Sequence, residues 1–140
     1  MKILIAADGS SYTKRMLAYL AAHDEWLSPN SEFTIITVVP LVPPRAAAAF
    51  DKQVLKDYYQ AEADKVFKPI RSFFQKQGIK ANFETKAGNI ADTIAQTAEK
   101  GRYDLLIMGS HGHGSLTKLV MGSVANKVMA HCGTPVLLIR

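Results

Sequence analysis

Two glycine-rich stretches carry the residues best suited to chemistry. Gly109-Ser110-His111-Gly112-His113-Gly114-Ser115 is one, and Gly122-Ser123 is the other. Glycines after a strand let the backbone approach a ligand closely and turn successive N–H groups inward. A helix opening at Gly122-Ser123 adds free N–H groups and a partial positive charge. Together they describe a phosphate cradle. Ser123 adds a hydroxyl donor, and Lys118 adds a charge if the connecting segment folds back. A third candidate is Asp8-Gly9-Ser10, directly after the first apolar run.

Better-known phosphate signatures are absent. A P-loop needs GxxxxGK[ST], and no glycine here is followed by Lys-Ser or Lys-Thr. A dinucleotide fingerprint needs GxGxxG after the first strand, where only Gly9 stands. A phospho-acceptor switch needs an Asp after the third strand, where the chain reads Glu84-Thr85-Lys86-Ala87-Gly88. His111 and His113 form an H-x-H pair that lacks a third ligand, so loop chemistry or a polar wall is expected rather than a metal site, with general acid–base work on a phosphate as the alternative. No metal ligands and no catalytic residues are assigned. Without an evident base or water-positioning group, fast hydrolysis is not expected.

Positioning these loops requires an alternating fold. Residues 2–7 read as a short buried strand, residues 32–39, 103–108 and 135–140 as further strands, and residues 79–86 as a strand by alternation. Residues 11–27, 51–77, 90–98 and 122–131 carry apolar residues at helical spacing. Ser10 or Ser11 and Asn89 are expected helix caps, and Pro69 marks a kink point in the long helix. Residues 40–50, with three prolines, read as a loop entering that helix. Strict alternation implies an α/β fold, a doubly wound five-stranded parallel sheet with helices on both faces. Strand orders 2-1-3-4-5 and 3-2-1-4-5 both remain open on alternation alone. In either, ligands sit beyond the carboxyl ends of the strands.

Composition sets the outer bounds. The 140 residues are 48% hydrophobic and 21% charged, which fits one globular domain and excludes a disordered chain. No apolar run is long enough for a membrane span, and the opening MKILIAADGS reads as no secretory leader. Cys132 alone cannot form an intramolecular disulfide, and a cytoplasmic protein is expected. The net charge is +5, and eight basic residues against four acidic ones fall between Lys52 and Lys86. That excess reads as a solvated helix face, so neither nucleic acid nor membrane is expected as a partner.

Ile3-Leu4-Ile5-Ala6-Ala7-Asp8-Gly9-Ser10, the run Met108 to Gly112, Gly122-Ser123-Val124-Ala125 and Pro135-Val136-Leu137-Leu138 together resemble the universal stress protein family. The resemblance covers residues 1–140 as one domain. Nucleotide-binding members carry G-x2-G-x9-G-[ST], matched here by Gly109, Gly112, Gly122 and Ser123. The resemblance implies strand order 3-2-1-4-5, as in adenine nucleotide alpha hydrolase-like folds, and ATP or a related adenine nucleotide with Mg²⁺ held mostly by the phosphates. It places Ala6, Asp8 and the backbone of Val38 near the adenosine half. Met108, Gly109 and Gly112 would follow along the ribose and phosphates, and Gly122, Ser123 and Val124 would hold phosphates through helix-start N–H groups. His113 stands where the family often has arginine, and Gly114-Ser115 reverses a commoner Ser-Gly. A homodimer through Val136–Arg140 is also implied, and an apolar edge strand there independently expects a partner. The implied role is a nucleotide-sensing module of the stress response, read by a further protein. A slow ATPase or nucleotide hydrolase is the alternative.

Overall fold

The computed structural model describes residues 1–114 and 120–140. Lys118 and Ser115, named above, lie outside the described residues. The chain runs β1 (Lys2–Ala6), α1 (Ser11–Ala22), β2 (Glu32–Val39), α2 (Pro44–Ala47), α3 (Lys52–Gln77), β3 (Ala81–Ala87), α4 (Ile90–Lys100), β4 (Leu105–Gly109), α5 (Ser123–His131) and β5 (Val136–Ile139). The strands form one parallel sheet in the order β3-β2-β1-β4-β5. That settles the choice that alternation left open.

Each face of the sheet buries its own core. Ile3, Ile5 and Ile35 pack with Met16 and Leu20 of α1 and with Phe67, Ile70 and Phe74 of α3. Leu4, Ala6, Ile36, Leu106 and Met108 face Ala91, Ile94 and Ala98 of α4 and Ala125 and Val128 of α5. The alternation Ile3/Leu4/Ile5/Ala6 thus serves two helical layers at once, which is why β1 reads as an unbroken apolar run.

Local chemistry sets the boundaries. The Ser10 hydroxyl accepts from Tyr12 N–H at 3.3 Å and caps α1, while Asp51 and Asn89 cap α3 and α4. The helix expected over 11–27 stops at Ala22. His23 ends it, stacked on Tyr19 with ring centroids 4.1 Å apart and with Nδ1 2.9 Å from the Tyr19 carbonyl, and a 3-10 turn covers Asp24–Trp26. Residues 40–50, read as a loop, contain the short helix α2 begun by Pro44. Helix α3 continues through Pro69, carried by buried Ile70 and Phe74 on its far side. Gly78 closes it in the left-handed region, and Ile79 N–H reaches back to Phe74 O, so β3 starts only at Ala81.

Candidate functional site

A cavity of about 490 Å³ opens beyond the carboxyl ends of β1, β2 and β4. It lies at the point where strand order reverses between β1 and β4. Its volume is in the range, roughly 300–1,000 Å³, of small-molecule sites. Ala6, Asp8, Val38, Met108, Gly109, Gly112, Gly122, Ser123 and Val124 all line it. The nine residues singled out from the sequence therefore surround one space. They come from three strand ends and the start of α5.

The walls differ in character. The inner part is apolar, formed by Ala6, Ile36, Val38 and Met108 with Ile90 and Ile94 from the first turns of α4. The outer part carries Asp8, His111, Gly112, His113 and Ser123. Val38 contributes more than its side chain. Ala7 N–H donates to Ile36 O and Gly88 N–H donates to Val39 O, each at 3.0 Å. Backbone groups alternate sides along a strand, so the N–H and C=O of Val38 point toward β1. Strand β1 has already ended at Ala6, and the amides of Asp8 and Gly9 are both directed at the Thr13 hydroxyl, at 3.3 and 3.1 Å. Val38 thus presents a donor and an acceptor to the apolar compartment.

The turn after β1 is fixed by its own polar atoms. Asp8 Oδ1 accepts from Ser10 N–H at 2.9 Å and from the Thr13 hydroxyl at 3.3 Å. Its second oxygen faces the glycine loop. A Cβ placed on Gly112 would stand 2.8 Å from Asp8 Oδ2, so a side chain there would collide with the carboxylate. Thr37, buried, donates its hydroxyl to Ala7 O at 2.7 Å and locks β1 to β2 at the cavity edge.

The loop after β4 is tied down at its base. Ser110, buried, donates its N–H to Ile139 O of β5 and accepts Gly122 N–H at its carbonyl, both at 2.8 Å. A Cβ on Gly122 would meet that carbonyl at 2.9 Å and His111 Cα at 3.1 Å. This corrects one expectation. The Gly122 amide, assigned to a phosphate, is committed to Ser110 because the helix starts against the base of the loop. The helix-start amides left facing outward are those of Ser123, Val124 and Ala125, because the first helical bond runs from Asn126 N–H to Gly122 O.

The two histidines are braces. His111 Nε2 donates to the Val120 carbonyl, its Nδ1 is 2.9 Å from the Ser110 hydroxyl, and its ring lies 5.1 Å from that of Tyr12. His113 Nε2 donates to Asp8 O at 2.6 Å, joining the glycine loop to the turn after β1. Sequence reasoning missed Thr13, Thr37 and Ser110 as positioning residues, and Ile90 and Ile94 as floor. The i, i+4 spacing of Ile90 and Ile94 beside the Asn89 cap was the available signal.

The remaining wall comes from α3. Val66 packs against the turn at Gly9, and Glu62 stands one turn further out, 2.8 Å from Lys65. The Glu62 carboxylate, first by its hydrogen bond and then by its charge, holds the Lys65 ammonium above its ordinary pKa.

Known proteins resemble this chain in sequence and in fold. A universal stress protein of Thermus aquaticus is 30% identical over 139 residues, covering 99% of this chain and 97% of its own. One from Methanocaldococcus jannaschii is 26% identical over 140 residues, covering 99% and 81%. The universal stress protein UspA of Lactobacillus plantarum superposes with a TM-score of 0.78 at 22% identity, over 100% of this chain and 97% of that one. A family member from Arabidopsis thaliana solved with AMP bound superposes at 0.69, with 19% identity and coverage of 99% and 90%. One from Archaeoglobus fulgidus in complex with dAMP superposes at 0.66, with 21% identity and coverage of 100% and 98%. The profile of the universal stress protein family matches residues 1–140, and with the parallel sheet in order 3-2-1-4-5 this shows that the chain belongs to the universal stress protein family.

Proposed function

We propose that the chain binds an adenine nucleotide, ATP with Mg²⁺, and that the occupied state is a signal in a stress response. The observation that carries this reading is the pairing of two ends within one cavity. An apolar slot edged by the Val38 backbone suits a purine ring, and the uncapped start of α5 suits phosphates. Asp8 lines the same cavity and would meet the ribose. The fold relatives solved with AMP and dAMP share the base and the phosphate but not the 2′-hydroxyl, which agrees with recognition at the two ends.

Mg²⁺ would be carried chiefly by the phosphates, since it keeps several waters and needs few protein ligands. It would neutralise charge there. Both histidines in the cavity wall have Nε2 engaged with carbonyls, which argues for slow turnover. Phosphate release slower than about 1 s⁻¹ is expected, and faster release would favour the hydrolase reading. The free apolar edge at β5 supports a homodimer formed by pairing that strand with its copy, with residues after Ile139 included up to Arg140. A cytoplasmic location is consistent with Cys132 standing alone.

The test is thermal unfolding and calorimetry with ATP, AMP and GTP, each with Mg²⁺. At a hundredfold excess over Kd, an adenine nucleotide should add about 2.7 kcal/mol of stability, with a matching rise in Tm. GTP should do less, because the Val38 donor and acceptor suit adenine. No shift with either adenine nucleotide would overturn the reading.

A further inference from the structure

The sheet has a second free edge, at β3, and its surroundings differ from those of β5. In the parallel register Thr37 is opposite Thr85 and Val39 is opposite Ala87, and Val39 O receives Gly88 N–H. The backbone groups of Thr37 and Val39 therefore bond toward β3. Those of Ala81, Phe83, Thr85 and Ala87 point away from the sheet. Beside that row, between the end of β3 and the start of α3, lies a groove of about 330 Å³. Leu55 gives it an apolar base, and Lys52 and Lys56 rise along one wall, one helical turn apart. Tyr59 closes the wall, its hydroxyl fixed as acceptor of Val42 N–H at 2.9 Å. Lys86, next to last in the strand, has its Nζ 3.9 Å from Glu84. Among the described residues neither Lys52 nor Lys56 is paired with a carboxylate.

We propose that this groove is a docking surface for an extended acidic segment of a partner protein, added to β3 as a sixth strand. The outward row of N–H and C=O groups is a template that a polypeptide backbone can extend. Helix α3 covers the face of β3 that carries Phe83, whose ring is 5.2 Å from that of Phe67. Alternate side chains of an added strand would point to the same face, and acidic ones there would meet Lys52 and Lys56. A nucleic acid is a poorer fit. It cannot continue the backbone ladder of β3. The inference stands on the edge and the groove alone and does not depend on nucleotide binding.

The experiment titrates the protein into a fluorescein-labelled peptide of alternating Glu and Val, six residues long, and reads anisotropy. Half-saturation below about 1 mM is expected, and the same peptide with Gln for Glu should bind at least about tenfold more weakly. The double variant Lys52→Glu with Lys56→Glu should weaken binding by a similar factor. Thr85→Pro should do so too while keeping the fold, because the Thr85 N–H faces away from β2. Far-UV circular dichroism checks that fold, and if Thr85→Pro unfolds, the lysine variant decides. Absence of binding, or binding equal for the Glu and Gln peptides, would show that the lysines only guard the edge and would overturn the proposal. So would binding unmoved by the lysine variant. An oligothymidylate that binds more tightly than the acidic peptide, and is lost in that variant, would overturn it in favour of nucleic acid.

Discussion

Helices α4 and α5 both begin near the carboxyl end of the sheet and pack side by side on one face, yet their first turns are finished differently. At α4 the Asn89 side chain accepts Asp92 N–H at 3.1 Å, and Asp92 places a carboxylate in the first turn. That helix supplies its own cap and its own counter-charge. At α5 the cap position is Gly122, which has no side chain, and the first turn holds no acidic residue. A glycine at the cap is only roughly a few tenths of a kcal/mol worse than Asn, so α5 gives up little stability by lacking a side chain there. What it keeps is a set of amides turned toward the cavity. The contrast separates a helix whose start is finished within the chain from one whose start is left open, where the proposed nucleotide's phosphates would sit.

The contrast can be broken most severely at Gly122. Gly122→Val forces a side chain into the 2.9 Å space beside Ser110 O. Unfolding should cost about 1–3 kcal/mol less, read by denaturant titration, and nucleotide affinity should fall below detection in calorimetry. A subtler change is Ser123→Asp, which gives α5 the first-turn acid that α4 has. It should raise the stability of the free protein by about 0.3–1 kcal/mol and weaken ATP binding at least about tenfold. Opposite signs in the two measurements are the expected signature. Asn89→Ala removes the cap from α4. It should lower stability by about 0.5–2 kcal/mol and leave ATP affinity unchanged, since Asn89 is not among the residues lining the cavity.

The smallest expected effect lies on α3. Lys65 gains a partner in the fold and its pKa is raised, so whatever the pair contributes is present below the ordinary lysine pKa and fades as pH rises through the raised value. Glu62→Gln should return the Lys65 titration to its ordinary position, measured by NMR of the side-chain amine. Because the pair is exposed, the stability difference should be visible only as a slight change in the alkaline limb.

Much of this was legible in the residues. Apolar runs marked four strands and alternation marked the third, and the glycines at 109, 112 and 122 marked the cavity. Strand order was not readable from alternation, because both doubly wound orders satisfy it. The family resemblance supplied it, and the register Ile5↔Ile107 beside Ile5↔Ile35 gives the physical basis. The end of α1 was hidden because His23 stops the helix by stacking on Tyr19 rather than by a glycine or proline. The role of Ser110 was hidden because a serine in a glycine-rich loop reads as flexible, whereas its backbone joins β5 to α5. The Gly122 amide was misassigned for the same reason, since a motif names residues and not the partners of their main-chain atoms.

That Ser110 junction separates anchorage from span. With Gly122 fastened to Ser110, and Val120 held by His111, both feet of the β4–α5 connection stand on the same footing. The distance the chain travels between them does not set where α5 begins.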